Sequence, residues 1–235
     1  FDKKILWEIV SIGVPATLNQ LLVSVAMMVC NNIASTYGDI AVAAMGISQK
    51  LMTIGTFVFM GFGAGCQPLM GFNYGANNYK RMFGLLKTGI ALTSGVGVAI
   101  AAIFGIFAPA LIGIFSPDAE VVAAGITILR AVMFSLPFLG GTQLSTVTVQ
   151  AMGKPVYALL LSISRQGILY IPLLLLLNTL GGFQGFIYAQ AITDLLMLFV
   201  ASVVLFFILK KDNANNEQIP LMYDGKMSTA NHPKG

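Results

Sequence analysis

Charged side chains are scarce in this sequence. Only 9% of its 235 residues are Asp, Glu, Lys or Arg, whereas about 25% is usual in a soluble domain, whose surface must face water. Hydrophobic residues make up 57%, and uncharged stretches run from Ile9 to Gly38 and from Thr88 to Pro117. Each stretch exceeds the ~20 residues that a helix needs to cross a bilayer. The composition therefore excludes a soluble domain and predicts an all-α polytopic membrane protein.

Reactive and metal-binding side chains are also few. The two cysteines, Cys30 and Cys66, lie within apolar runs, which favours small core residues over a disulfide framework. The single histidine, His232, has no neighbouring residues suited to share a metal ion. HExxH, GxSxG and Walker motifs are absent, and the scattered basic residues form no patch for nucleic acid. We therefore expect no enzyme, no catalytic residue, no metal site and no nucleic-acid partner.

Apolar runs and the breaks between them predict six transmembrane helices within residues 1–211. Their predicted limits are about 10–36, 41–72, 85–107, 121–151, 156–177 and 186–209. Residues 212–235 form a polar tail that we expect to be disordered. The N-terminal approach, the second loop, the fourth loop and the tail are basic, whereas the other loops are acidic or uncharged. Because Lys and Arg concentrate on the cytoplasmic side of a membrane, both termini are predicted to be cytoplasmic.

Charged residues inside predicted spans are costly and therefore mark a pathway, a pair or a relay. Lys50 lies well inside span two. Its side chain therefore either faces a polar cavity, or extends to the membrane surface or forms a structural pair. Arg165 in span five and Asp194 in span six would reach similar depths if these spans are antiparallel neighbours. We therefore predict an intramembrane charge pair, which serves either to hold two helices together or to take part in coupling or substrate binding.

Uncharged polar residues add a second layer of candidates within the spans. Gln143 and Gln150 are seven residues apart in span four and so share a helix face, with Thr146 between them. That face either lines a polar cavity or supplies hydrogen bonds between helices. Similar amides lie in the first two spans: Asn19, Gln20, Asn31, Asn32, Gln49 and Gln67.

Several segments resemble the second half of bacterial multidrug and toxic compound extrusion (MATE) transporters. The most specific is QPLMGFNYGANNYKR at 67–81, which is similar to the end of the eighth helix and its cytoplasmic loop. Others are IGVPATLNQLLVSVAMMVCNN at 12–32, YGDIAVAAMGISQKLM at 37–52, FSPDAEVVAAGITILR at 115–130, QAMGKP at 150–155 and SRQGILYIPLLLLLN at 164–178. The resemblance extends over nearly the whole chain, to about Lys211.

The resemblance implies that this chain is the C-terminal six-helix lobe of a twelve-helix antiporter in the bacterial plasma membrane. Such a protein would export amphiphilic or cationic small molecules in exchange for Na⁺ or H⁺ and would need no other cofactor. The implied partners are the bilayer, the small-molecule substrate, and the N-terminal lobe of the same protein or a second half-transporter. Rocking of two parallel-repeat lobes would move the opening of a central cavity.

The sequence departs from the family pattern at two acidic positions. Many members have a carboxylate in helix seven, where this sequence has Asn19 and Gln20, and some have another in helix ten, near Gln143. We therefore expect the coupling ion to bind in the missing N-terminal lobe. The residues implied to line or gate the cavity are Gln20, Lys50, Gln67 and Gln143. A lipid or lipid-linked oligosaccharide flippase, and a non-transporting subunit or inactive fragment, are the alternative functions.

Overall fold

A computed structural model describes the backbone of residues 3–227 and the side chains of residues 17–154 and 156–208. The structure is 92% helical, and the described part contains no strand, which confirms the predicted all-α class. A π-helical segment, Ser164–Tyr170, follows α7 directly. The eight α-helices are α1 (Lys3–Ser35), α2 (Asp39–Gly75), α3 (Tyr79–Ile106), α4 (Ala108–Phe115), α5 (Ala119–Met133), α6 (Leu136–Ala151), α7 (Pro155–Ile163) and α8 (Ile171–Met227).

Among the described residues, four helical stretches are long and apolar enough to cross a membrane, and the bent pair α5 and α6 adds a fifth. The longest stretch, Val156–Ile208, has 53 residues and would be about 80 Å long if straight. It is not straight, because Gly182 has non-helical backbone angles (φ 53°, ψ −138°).

Contact between Arg165 and Asp194 shows that the chain reverses near Gly182. The two residues are 29 positions apart, which corresponds to about 43 Å along a helix, yet their side chains meet at 2.8 Å. Val156–Ile208 is therefore a helical hairpin, whose first arm is 156–181 and whose second arm is 183–208. If the two arms are counted separately and the bent pair as one, six segments within the described residues are long and apolar enough to cross a membrane.

Span four is not the single helix that the sequence predicts at 121–151. It consists of α5 and α6, which meet at an angle of 42°. Pro137 lies in the first turn of α6, and because proline has no N–H and clashes with the preceding turn, it prevents the helix from continuing. The break is buried at Ser135 and Leu136, both 0% exposed.

The structure also differs from the predicted limits elsewhere. Helix α3 begins at Tyr79 rather than near residue 85, because the side chain of Asn78 accepts a hydrogen bond from the Arg81 backbone N–H (3.2 Å) and caps the helix. The short helix α4 follows a break at Phe107, with Pro109 in its first turn. At the C-terminus, α8 runs on to Met227, through part of the segment predicted as a disordered tail. The rest of that tail, including His232, lies outside the described residues.

Helix α6 lies at the centre of the lobe and packs most extensively against α3, α2 and α8. Small residues permit this close packing. A Cβ on Gly97 of α3 would lie 2.7 Å from the Leu136 carbonyl oxygen and 2.9 Å from Pro137 Cα, and both are backbone atoms. Close approach of helix backbones through small residues is the usual way that membrane helices associate.

Replacing Gly97 by alanine is expected to destabilise the lobe by about 1–2 kcal/mol, because backbone at the α5–α6 break cannot move aside as a flexible side chain can. The measurement is the thermal unfolding midpoint in detergent. Gly95→Ala is the matched control, since a Cβ at that position has no described atom within 4 Å. Equal unfolding midpoints for the two variants would contradict the close contact between α3 and α6.

Large apolar side chains cover much of the outer surface. Ile114, Leu180 and Phe199 are 78%, 77% and 71% exposed, respectively. In water such a surface would cause aggregation, whereas in a bilayer it contacts lipid. The exposed apolar surface and the apolar helices thus agree on a multi-pass membrane protein.

Candidate functional site

A partly open cavity of about 260 Å³ with both polar and apolar lining lies between α1, α2, α6 and the two arms of the hairpin. Its apolar lining comes mainly from α1 and α2, and its polar lining from amides, hydroxyls and one ion pair. The polar lining residues are Asn31, Gln49, Thr53, Thr56, Gln143, Arg165, Gln166, Tyr170, Gln190, Thr193 and Asp194. Polar groups within membrane-spanning helices gather around cavities of this kind because lipid cannot satisfy them.

Arg165 and Asp194 form the ion pair of this cavity. Arg165 Nε donates to Asp194 Oδ1 at 2.8 Å. The Asp194 side chain is 0% exposed, whereas the Arg165 side chain is 25% exposed. The pair joins the two arms of the hairpin, so it cross-links the helices and neutralises a buried carboxylate at the same time.

The π-helical segment Ser164–Tyr170 supplies three of the cavity residues, Arg165, Gln166 and Tyr170. A π-helix has a wider turn than an α-helix, with i→i+5 hydrogen bonds, and such segments are frequent at functional sites. Here the segment directs an arginine and a glutamine towards the same internal space.

Two glutamines on different helices line the cavity and are hydrogen-bonded to each other. Gln49 Nε2 of α2 donates to Gln190 Oε1 of the second arm at 3.3 Å, and Gln190 Nε2 lies 3.1 Å from the sulfur of Met52. Gln190 and Asp194 are four residues apart and therefore lie on the same face of the second arm. The amide pair thus holds α2 against the helix that carries the buried carboxylate.

A smaller cavity of about 110 Å³ adjoins the first and is lined by α1, α6 and the first arm. Five residues line both cavities: Val23, Leu139, Gln143, Arg165 and Gln166. Asn19 also lines the smaller cavity, and its buried Oδ1 has no hydrogen-bond partner among the described residues. Three polar side chains, Gln143, Arg165 and Gln166, therefore lie between two adjoining cavities.

The structure places the candidate cavity residues in different environments. Gln143 lines both internal cavities, whereas Gln20, Lys50 and Gln67 are exposed on the surface of the lobe and line neither. Lys50 and Gln67 are 17 positions apart on α2, about 25 Å along the helix axis, so they do not belong to one local site. A role for these three residues at the face towards a second lobe stays a prediction.

Several cavity residues escaped selection from the sequence. Gln166, Tyr170 and Gln190 have no charge and belong to no motif, so nothing distinguished them from interhelical hydrogen-bonding residues. One signal was available: Gln190 precedes Asp194 by four positions, and Gln166 follows Arg165 directly. Amides beside a predicted charge pair are candidates for the same polar space.

Comparison with known proteins shows which proteins this chain resembles. The MatE family model matches residues 15–176. The multidrug export protein MepA of Staphylococcus haemolyticus is 31% identical over 204 residues, which cover 87% of this chain and 45% of that protein. MepA of Staphylococcus aureus is 32% identical over 207 residues, or 88% of this chain and 46% of that protein.

Solved structures show the same fold. A Vibrio cholerae MATE transporter, VcmN in its bent form, superposes with a TM-score of 0.82 at 23% identity, over 91% of this chain and 49% of that one. A multidrug resistance MATE transporter matches in its inward-facing form (TM-score 0.82, 22% identity, 90% and 50% covered) and in an outward-facing form (0.80, 22%, 89% and 48%).

The chain spans about half the length of the curated relatives and solved structures that it matches. Such a match is what one lobe of a two-lobed transporter would produce. The family model covers more than half of the chain, and the helical architecture agrees with the solved folds. This chain therefore belongs to the MatE family, the multidrug and toxic compound extrusion transporters.

Proposed function

We propose that this chain forms one lobe of a membrane antiporter that exports amphiphilic or cationic small molecules. The observation that carries the proposal is the cavity of about 260 Å³, lined by many polar side chains, between the apolar helices of a MatE-family fold. Binding sites for small molecules usually measure about 300–1,000 Å³. A cavity somewhat below this range suits half of a binding site, which a second lobe would complete.

The relatives support the same activity. Both MepA proteins are described as multidrug export proteins. In the proposed protein, the partner is an N-terminal lobe of the same polypeptide or a second half-transporter, and both termini of this lobe face the cytoplasm of a bacterial cell. The protein acts as a transporter and not as an enzyme, and Na⁺ or H⁺ bound in the other lobe drives export.

A second candidate function is movement of a lipid or a lipid-linked oligosaccharide. Lys50 is exposed on α2 and Arg165 is partly exposed inside the lobe, and cationic side chains in a membrane cavity would hold the phosphates of such a substrate. A lipid substrate would require a lateral path from the bilayer to these residues, which transport of a free dye does not.

Export is tested by ethidium accumulation in cells that express the full-length protein. Thr53 lines the cavity, so Thr53→Trp should fill part of it and raise accumulation to the level of cells with empty vector. Val58 is 46% exposed on the same helix and does not line the described cavities, so Val58→Trp should leave export intact. Equal ethidium accumulation with wild type and empty vector would count against drug export.

A further inference from the structure

The Arg165–Asp194 pair is joined by one hydrogen bond only. Arginine and aspartate commonly meet through two parallel hydrogen bonds, but here a single bond joins Arg165 Nε to Asp194 Oδ1. Asp194 Oδ2 is buried and accepts no well-formed hydrogen bond from the described residues, although the Ser135 hydroxyl lies beside the carboxylate. The two terminal Nη groups of Arg165 likewise donate to no side chain or carbonyl in the described ranges. The guanidinium therefore keeps four unused N–H donors beside the cavity.

Accessible charge in the two cavities is positive. Among the described lining residues, only Arg165 and Asp194 are charged. The Asp194 side chain is 0% exposed and its Oδ1 is already bonded, whereas Arg165 is 25% exposed and lines both cavities. A ligand that enters this space meets the guanidinium and does not meet the carboxylate.

Uncharged hydrogen-bond donors line the same cavities as the Arg165 guanidinium. The side chains of Gln143 and Gln166 line both cavities next to Arg165, and no hydrogen bond engages either amide within the described part of the chain. Each amide can donate two N–H groups. The free donors thus come from α6 and from the π-helical segment and line the same two cavities.

We propose that Arg165, with Gln143 and Gln166, forms a subsite for an anionic oxygen group, a carboxylate or a phosphate, on the transported amphiphile. The subsite deepens the proposed export function, on which it rests. Guanidinium binds carboxylate and phosphate oxygens bidentately through the donors that are unused here. The positive charge of a zwitterionic substrate would be met outside this subsite, and a purely cationic substrate would gain nothing from it.

Two dyes that differ only in this group provide the test. Rhodamine 110 has a free carboxylate, and rhodamine 123 is its cationic methyl ester. Full-length protein in energised proteoliposomes should transport both dyes, with a preference for the free acid over the ester. In the Arg165→Gln, Asp194→Asn double variant both charges are gone, so no buried charge is left alone. We expect the ratio of acid transport to ester transport to fall at least about tenfold, the loss expected for one charge-assisted hydrogen bond.

Gln143→Leu is the second variant, since it removes one donor and leaves the ion pair untouched. It should lower transport of the acid more than that of the ester. An unchanged acid-to-ester ratio in both variants would overturn the subsite even if both dyes are exported. Failure of wild-type protein to export either dye would instead overturn the drug-export function on which the subsite rests.

Lipid and free-solute sources of the anionic group are separated in the same vesicles. Transbilayer movement of NBD-labelled phosphatidic acid is followed by dithionite quenching. Movement of the lipid that depends on Arg165, without export of rhodamine 110, would assign the subsite to a lipid headgroup. Export of rhodamine 110 without lipid movement would assign it to a free amphiphile.

Discussion

Asp194→Asn is expected to destabilise the lobe by about 3 kcal/mol. The substitution preserves the size of the side chain but leaves the Arg165 guanidinium without its counter-charge inside the membrane-spanning lobe. Breaking one half of a buried ion pair typically costs about 3–5 kcal/mol, and arginine cannot escape the penalty by losing its proton. The measurements are the thermal unfolding midpoint in detergent and the amount of folded protein in the membrane.

The neutral double variant Arg165→Gln, Asp194→Asn is the informative partner of this experiment. It should recover most of the lost stability, because two amides can hydrogen-bond without any unpaired charge. Asp39→Asn is the matched control, since Asp39 is exposed in the first turn of α2 and contributes only ~0.3–1 kcal/mol through the helix dipole. If the double variant is less stable than Asp194→Asn alone, the two residues are not coupled as described.

Gly182→Val is expected to destabilise the lobe by up to about 3 kcal/mol. Gly182 has φ 53° and ψ −138°, a combination that side chains with a Cβ avoid for steric reasons. This residue reverses the chain between the two arms of the hairpin, so a shift there would also move Arg165 relative to Asp194. The variant should therefore unfold at a lower temperature and also lose part of its export activity.

Gly181→Val is a closely matched control. A Cβ at either glycine has no described atom within 4 Å, and only Gly182 of the two has a positive φ. Loss of stability at Gly182 but not at Gly181 would therefore arise from backbone conformation and not from crowding. Equal losses at both positions would show that the turn does not need the positive φ.

Long-range hydropathy made the fold class predictable. Long uncharged apolar runs such as Thr88–Pro117 indicate helices that lie in lipid. The match to the MatE family model confirms the family that the segment QPLMGFNYGANNYKR at 67–81 indicates. Local chemistry was predicted less well. Pro137 could be read as a permitted bend, but hydropathy does not report whether a proline bends one helix or separates two.

The ion pair shows both the strength and the limit of pattern reasoning. Similar depths of Arg165 and Asp194 in antiparallel spans led to the expectation that they meet, and the structure places them 2.8 Å apart. Whether the pair serves only to hold the helices together stays open to the variants above. The single hydrogen bond, the Oδ2 without a well-formed hydrogen bond and the unequal exposure of the two side chains could not be read from sequence, because each depends on how three helices pack around them.

Candidate cavity residues were harder to choose for a related reason. Lys50 and Gln143 are both polar residues inside apolar runs, yet Gln143 faces the internal cavity and Lys50 is exposed on the lobe surface. Helical periodicity groups residues onto faces, but it does not say which face meets another helix, a cavity or lipid.

The sequence by itself determined that this chain crosses a membrane as helices. It also indicated the family and the positions of the intramembrane charges along the chain. These properties follow from composition and from local order along the chain, because lipid tolerates neither unpaired backbone nor free charge. Only the tertiary structure decided that Gln143, Gln166 and Gln190 line the same cavity as Arg165, and that Asp194 is shielded while Arg165 is partly exposed. That outcome depends on the reversal at Gly182, the break at Pro137 and the rotation of each helix about its axis, which packing sets and periodicity leaves undetermined.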